Sequence, residues 1–420
     1  MVKLLIIADD FTGGLDTGVQ FAAKGISTRV VTDPKMDYQQ AARECEVLVA
    51  VVETRHLPAD QAYEKVRQIV KKSIEWGIPH LYKKTDSALR GNIGAELTAT
   101  LDASGEEMLA FLPALPGIRR TTQHGIHYID GVPVAESVFG QDPFEPVRES
   151  DVAKLIAVQS DVSTCNATPA SVPNRKGIVI IDAQSDEDLR IAGQKLAAQN
   201  KLHLMAGCAG FAAMLPELLE LTVGPTPQIP KLDPGLFLVC GSVNPITKRQ
   251  LAMGEKGGFK RLRMRPEQKL NPRHFESSKG QDELESLCRA GADAKWLILD
   301  TNDVDDSNAE TTAYAAAHGM TTEDIRVCIS DTLGRILPKM LSHFSPRTLL
   351  ITGGDTLLQC MNHMNVFMMR PLVEMYPGVV LSQFDVDGQS RFVISKSGGF
   401  GKETLLCDLK TLIETQHSMN

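Results

Sequence analysis

Short apolar runs that stop abruptly at a polar cluster recur along this chain, and helix-period segments separate them. The first run, Leu4-Leu-Ile-Ile-Ala8, ends in Asp9-Asp10-Phe11-Thr12-Gly13-Gly14. A continuous run of four to eight apolar residues predicts a strand buried on both faces, and a polar group at its carboxyl end predicts a ligand crevice there. Residues 15–24, closed by Gly25, are expected to form the next helix. The alternative, that Asp9 and Asp10 merely cap that helix, is the less favoured reading of the stretch. Further strands are expected at residues 27–31, 46–52, 78–82, 108–112, 177–181 and 202–206. Helices are expected at 59–76, 93–101, 186–198 and from 210 towards 221.

Residues 113–150 break this rhythm. Asp130-Gly131 inside an alternating segment predicts a tight hairpin, hence an excursion from the sheet. Residues 222–235 contain Pro225, Pro227, Pro230 and Pro234 with little to bury, which predicts a domain boundary. A second α/β series follows, with strands at 236–240, 296–300, 348–352 and 391–395. Its helices are expected at 245–255, 323–343, after Asp355, and at 403–415. The acidic stretch 302–310 is expected to be an exposed loop. The predicted class is α/β, with two α/β domains of mainly parallel sheet at residues 1–224 and 236–420, joined by a linker at 225–235, and an active site in the cleft between them.

Composition narrows the ligand. The 420 residues carry a formal net charge of -8, with 43% hydrophobic and 23% charged residues. That balance suits a soluble protein and disfavours nucleic acid or an anionic membrane as the main partner. The eight cysteines have no C-x-x-C spacing and pair with no histidine at metal-ligand spacing, and no run resembles a signal peptide or a membrane span. A cytoplasmic protein is expected. His124 and His127 have no nearby third ligand, so a structural or lid role is favoured over metal binding. A homodimer is compatible with the sequence but not specified by it.

Two polar clusters in the first half combine carboxylates, a hydroxyl, amides and cations. One holds Asp9, Asp10 and Thr12; the other holds Lys83, Lys84, Thr85, Asp86, Ser87, Arg90 and Asn92, with Arg55 just beyond a predicted strand. Carboxylates and amides grip hydroxyl groups, while Lys and Arg hold a carboxylate, so the set suits a small polyhydroxylated anion. The second half has three glycine turns after predicted strands: Gly241-Ser242-Val243-Asn244, Gly353-Gly354-Asp355-Thr356 and Lys396-Ser397-Gly398-Gly399. Glycines let main-chain N–H groups close on phosphate oxygens. None of them matches a P-loop or a dinucleotide fingerprint.

Taken together, these motifs resemble the four-carbon acid sugar kinases, and among them most closely those acting on D-threonate. The resemblance rests on residues 8–14 with 16–20, 83–92, 353–356 and 396–401, in the family's order over nearly the whole chain. It implies a substrate-binding first domain, an ATP-binding second domain and transfer of the γ-phosphoryl group to the terminal hydroxyl. It also implies that Asp9, Arg55, Lys83, Lys84, Thr85 and Asp86 bind the acid, while Ser242, Gly353, Gly354, Asp355, Thr356 and Gly398 bind ATP. The residues themselves add Asp10 and Arg90 to the acid site and Mg2+ as the ion accompanying ATP. Ala88 stands where the family commonly has Thr. Asp355 is the first candidate for general base, with Asp86 and Asp10 as alternatives, and the metal ligands are not specified. D-erythronate and 3-oxo-tetronate are the alternative acids. A haloacid-dehalogenase-like phosphohydrolase is the rival enzyme, disfavoured because its D-x-D is broken by adjacent carboxylates followed by Phe11. A non-catalytic sugar-acid sensor is the rival of another class.

Overall fold

A strand is buried on both faces when helices cover both sides of its sheet, and the apolar runs behave accordingly. The computed structural model describes residues 2–32, 41, 43–142 and 145–418, and the chain divides into two compact units, Met1–Pro227 and Gln228–Asn420. In the first unit the strands are β1 (Leu4–Ala8), β2 (Thr28–Val31), β3 (Val47–Val51), β4 (His80–Lys84), β5 (Met108–Leu112), β6 (Arg120–Gln123), β7 (Ile126–Ile129), β8 (Val132–Pro133), β9 (Thr164–Ala167), β10 (Gly177–Ile181) and β11 (Leu204–Gly207). Eight of them form a parallel sheet in the order β2-β3-β1-β4-β11-β5-β10-β9. The chain leaves β1 towards β2 and β3 on one side and later adds β4 on the other. The carboxyl ends of β1 and β4 therefore flank a point where the strand order reverses, the usual ligand position in such sheets.

The excursion is a separate three-stranded antiparallel sheet, β6-β7-β8. Its β7–β8 turn uses Asp130 (φ 52°) and Gly131 (φ 83°), the pair of positive φ angles that a two-residue type I′ hairpin requires.

The second unit contains β12 (Leu236–Cys240), β13 (Lys260–Arg263), β14 (Trp296–Asp300), β15 (Thr348–Thr352), β16 (Met368–Tyr376), β17 (Val379–Val386) and β18 (Gln389–Lys396). They run in the order β13-β14-β12-β15-β18-β17-β16, parallel from β13 to β18 and antiparallel beyond it. Leu236, Leu238, Cys240, Ile298, Leu350 and Ile394 meet Leu405, Leu406, Leu409 and Ile413 of the last helix in one core. Among the described residues no helix is long and apolar enough to cross a membrane.

Several local expectations are corrected. The first helix is Phe11–Ala22, starting four residues earlier than its apolar pattern suggests, because Asp10 caps it. Two glycines are tolerated in its first turn because there is no room for side chains: a Cβ on Gly14 would lie 2.9 Å from Val51. The helix expected from 210 towards 221 is two short pieces, Ala209–Ala212 and Leu215–Leu218, separated ahead of Pro216. The strand expected at 78–82 is His80–Lys84, so two lysines lie inside it. Strands β16 and β17 were not anticipated, since their alternation of apolar residues with Glu374, Gln383 and Asp385 hides a half-covered antiparallel pair. The expected exposed loop at 302–310 begins buried: Asn302 and Asp303 are enclosed, and Asp303 pairs with Lys269 at 2.8 Å.

Candidate active site and its two ligand cradles

Strands β3, β1 and β4 are neighbours, so the residues following them converge. Asp9 and Asp10 follow β1, Arg55 follows β3, and residues 85–92 follow β4. Arg55 is the hub. Its Nε donates to Asp9 Oδ2 at 2.8 Å, and an Nη donates to Asp10 Oδ1 at 2.7 Å and lies 3.7 Å from Asp86. Burial opposes the charge on Arg55, but Asp10, Asp9 and Asp86 outweigh it and raise its pKa well above the arginine norm. Burial likewise pushes Asp10 up, yet Arg55 and Lys84 bring it below the usual carboxylate value.

Asp10 therefore does both things the sequence allowed. It caps the helix, accepting from Gly13 N at 3.1 Å, and it belongs to the charged cluster. Asp9 keeps one oxygen in reserve. Its Oδ1 is buried with no hydrogen-bond partner, as is Thr85 Oγ1. An unsatisfied buried carboxylate oxygen is costly, so its presence beside cations leaves an acceptor open to a hydrogen-bond donor.

The two lysines separate because successive side chains of a strand point to opposite faces. Lys83 lies wholly buried against Glu96 at 2.7 Å, with Ile7 O and Lys84 O as further acceptors. Its ammonium is spent inside the fold. Lys84 instead faces the Asp10 side: its Nζ donates to Thr85 O at 2.7 Å and stands 2.9 Å from the point a Gly13 Cβ would occupy. Gly13 thus leaves the space that lets Lys84 approach Asp10.

Asp86 is clamped by both arms of Arg90, at 3.0 and 3.1 Å, and accepts from the backbone N–H of Ala88 at 3.1 Å. Burial raises its pKa, but Arg90 and Arg55 hold it well below the carboxylate norm. Asn92 ties the loop that carries Arg55, donating to Thr54 O at 2.9 Å and Leu57 O at 2.7 Å. Ala88 packs with Ile129, Val134 and Val147, so the residue that departs from the family pattern fills an apolar contact between the 85–92 loop and the hairpin.

Sequence reasoning missed what the excursion brings to this cluster. Arg120, on β6, is buried and donates to Ser87 Oγ. His127, on β7, bonds Thr122 Oγ1 at 3.0 Å and Ser87 O at 2.9 Å. A carbonyl can only accept, so Nε2 carries the proton and Nδ1 receives the threonine hydroxyl. The available signal was positional, since Arg120 and Thr122 occupy alternate, inward places on a strand.

His127 serves structure, as expected. Burial lowers its pKa from 6.5 to about 4. The unfolded chain takes up a proton at this residue between those values and the folded chain does not. Stability from His127 is therefore complete above pH 6.5 and is lost as pH falls towards 4. Relative to His127→Gln, the wild type should lose up to ~3 kcal/mol over that window in chemical denaturation. Equal pH dependence in both proteins would contradict this assignment.

In the second unit β12, β15 and β18 are adjacent and parallel, so the three glycine turns also converge. Gly353 has φ 103° and caps the helix Gly354–His363. A Cβ on Gly241 would lie 2.0 Å from Thr356 Oγ1, and one on Gly398 would lie 2.7 Å from Ser242 Oγ. These are cradles in which the main chain must approach closely. Asn302 steadies the first turn by donating to Ser242 O at 3.1 Å. Lys396 braces the third, its Nζ donating to Thr247 Oγ1, Ser397 O and Gly398 O, each at 3.0 Å. Burial without a carboxylate beside it lowers the Lys396 pKa to about 8. Asp355 pairs with Arg326 at 2.7 Å.

A family model described as a sugar-binding N-terminal domain matches residues 4–215. A second, described as a nucleotide-binding C-terminal domain, matches residues 237–406. The D-threonate kinase of Salmonella typhimurium is 30% identical over 437 residues, covering 99% of this chain and 99% of that protein. The D-erythronate kinase of Heliobacterium modesticaldum is 27% identical over 377 residues, covering 84% of each. A solved Salmonella typhimurium protein described as a putative tRNA synthase shares the fold, with a TM-score of 0.77 at 20% identity over 98% of this chain and 99% of that one. With two matching domain models and full-length likeness to a D-threonate kinase, the chain belongs to the four-carbon acid sugar kinase family.

Proposed function

We propose that this protein is an ATP-dependent kinase that phosphorylates the 4-hydroxyl of a four-carbon sugar acid, with D-threonate as the foremost substrate and 4-phospho-D-threonate as product. The observation that carries the reading is the unpartnered Oδ1 of Asp9, an acceptor for a hydroxyl held beside the Arg55 and Lys84 cations. The names of the relatives support the same acid class, and D-erythronate and 3-oxo-tetronate are its nearest alternatives. In this reading Asp9 and Asp10 take sugar hydroxyls, and Lys84 contributes to holding the acid's carboxylate. Lys83, neutralised by Glu96, contributes by fixing β4 to the helix Ile93–Ser104.

Phosphoryl transfer passes through a loose transition state, so the protein's work is alignment of the attacking oxygen and neutralisation of the phosphoryl charge. The N–H groups around Gly353, Gly354 and Gly398, with the Ser242 and Thr356 hydroxyls, would bind the phosphates of ATP. Among the described residues no group of three His, Cys, Asp or Glu side chains forms a metal cage. Magnesium would enter as a companion of the nucleotide, held mainly by phosphate oxygens and water, and Asp355, now paired with Arg326, is the carboxylate in the nucleotide cradle that could turn to it. Bound there, the ion supplies charge neutralisation on the phosphates.

The acceptor hydroxyl must also lose its proton. Asp86 and Asp10 are each held by arginines in the acid cradle, which fits them to binding. Asp355 is itself paired with Arg326, and it is kept as the first candidate because it alone of the three lies in the nucleotide cradle, in the first turn of the helix Gly354–His363. Asp355→Asn should lower kcat about 100-fold while the affinity for the acid changes less than threefold. Near-normal turnover would remove Asp355 from that role. The reading as a whole is tested with a panel of C4 sugar acids and Mg-ATP, following ADP release and locating the phosphate by NMR. ADP release that depends on D-threonate, with phosphate at C4, is expected. Absence of acid-dependent ADP release across the panel would refute it.

A further inference from the structure

Lys396, the last residue of β18, is a buried charge without a counter-charge. Its side chain is 1% exposed, and its ammonium pairs with no carboxylate among the described residues. Lys83 and Lys269, equally enclosed, each have one: Lys83 meets Glu96 at 2.7 Å and Lys269 meets Asp303 at 2.8 Å. An ammonium buried without an anion is costly, and this one lies directly under a glycine turn.

An ammonium has three donors and no acceptor, and here all three are spent. They go to Thr247 Oγ1, Ser397 O and Gly398 O, each at 3.0 Å. Thr247 Oγ1 in turn donates to Gly398 O at 2.8 Å and accepts from Ser242 Oγ at 3.4 Å, so the lysine ties the third turn to the first. No donor is left for a ligand, and Lys396 acts instead on the peptides of the turn. In a trans peptide the C=O and N–H point in opposite directions. With the carbonyls of Ser397 and Gly398 drawn inward to the ammonium, the N–H groups of Gly398 and Gly399 point the other way. Neither N–H has an acceptor among the described residues, and Gly399 is exposed. Successive N–H groups presented together make an anion-binding nest.

We propose that Lys396 is a positioning residue of the phosphate cradle: it holds the Gly398 and Gly399 N–H groups outward as a nest for the nucleotide's phosphates, whose negative charge balances its own. The inference rests on the reading of the second unit as the nucleotide-binding part of a kinase. ATP then fills the nest and also restores the proton affinity that burial takes from Lys396, whose pKa is lowered to about 8. The groups around the ammonium leave that effect legible. Thr247 of the helix Pro245–Lys256 and Thr352, its register partner on β15, are neutral hydroxyls. Cys240, at the end of β12, is the titratable neighbour, and burial raises its thiol far above the usual value, so it stays uncharged at pH 8.5.

The test compares wild type with Lys396→Met, which keeps the length of the side chain and removes its charge and donors. Calorimetry with Mg-ATP is run at pH 7 and at pH 8.5, in two buffers of different ionisation enthalpy. At pH 7 the variant should bind Mg-ATP about 30-fold more weakly, with the Kd for D-threonate within twofold of wild type. At pH 8.5 the wild type should take up ~0.7 proton per Mg-ATP bound, because the phosphates return Lys396 to full protonation, and the variant should take up none. A side chain that only shaped the turn would change affinity without moving protons. The wild-type measurement needs no substitution, so it decides the inference even if the variant does not fold. No proton uptake by the wild type, equal uptake by the folded variant, or variant affinity for Mg-ATP within threefold of wild type overturns it. Wild-type protein that binds Mg-ATP but phosphorylates no C4 acid overturns the kinase reading alone, while Lys396 is still judged on these values; wild-type protein that binds no Mg-ATP overturns both.

Discussion

Replacing Asp9 by Asn should lower kcat/KM for D-threonate about 10³-fold while KM for ATP stays within twofold. Asp9 Oδ2 neutralises the buried Arg55, and Oδ1 is the acceptor without a partner. The amide keeps the size of the side chain but presents an oxygen and an N–H2 in place of two acceptors. If the amide oxygen stays with Arg55, its nitrogen meets the sugar hydroxyl as a second donor. If it flips, Arg55 loses one of its two closest carboxylates. Each arrangement leaves a buried polar group badly matched and Arg55 under-neutralised, which together cost about 4 kcal/mol. Steady-state ADP release measures the effect. A loss of less than tenfold would mean that Asp9 serves mainly as a strand-end partner of Arg55.

Gly353→Val should have a comparable effect on the nucleotide side, lowering kcat/KM for ATP about 10³-fold without changing the calorimetric affinity for the acid. Gly353 has φ 103°, a conformation that a β-branched residue adopts only under strain, and a Cβ there would stand 3.3 Å from Thr356 Oγ1. Relieving that strain must turn the N–H groups that open the helix Gly354–His363 away from the phosphates. Unchanged ATP affinity in a folded variant would show that this turn is only a tight connection.

These two variants target features of very different legibility. Gly353-Gly354-Asp355-Thr356 was readable because glycine after an apolar run is a local signal, and the strand and helix around it obey their own periodicities. The alternation of strand, polar cluster and helix gave the α/β class for the same reason. The charged cluster was legible as a set of residue types but not as a set of partners. Lys83 and Lys84 are adjacent in sequence and chemically identical, yet one is neutralised by Glu96 and the other faces Asp10. Only the register of β4 against β1, Lys83 opposite Ile7 and Lys84 opposite Ala8, decides which is which. The start expected for that strand was two residues early, enough to leave both lysines in the following loop.

Asn302 and Asp303 show the same limit from the other side. An acidic, polar stretch reads as exposed because charge is costly to bury, and that argument holds only while no partner exists. Here Lys269 meets Asp303, and Asp300 Oδ1 with Ser242 O takes the Asn302 amide. Neither interaction leaves a mark on local periodicity.

The sequence by itself determined that this chain forms two α/β series, roughly where most of their parallel strands lie, and that polar and glycine-rich residues gather near the strand ends. These are consequences of side-chain period, turn chemistry and the cost of burying unpaired polar groups, all of which act over a few residues. Tertiary structure alone decided the pairings. Arg55 joins Asp9 and Asp10 across 46 and 45 residues, and Arg120 reaches Ser87 across 33. Such contacts depend on strand order and register, set when the whole sheet assembles, so no local window of sequence contains them.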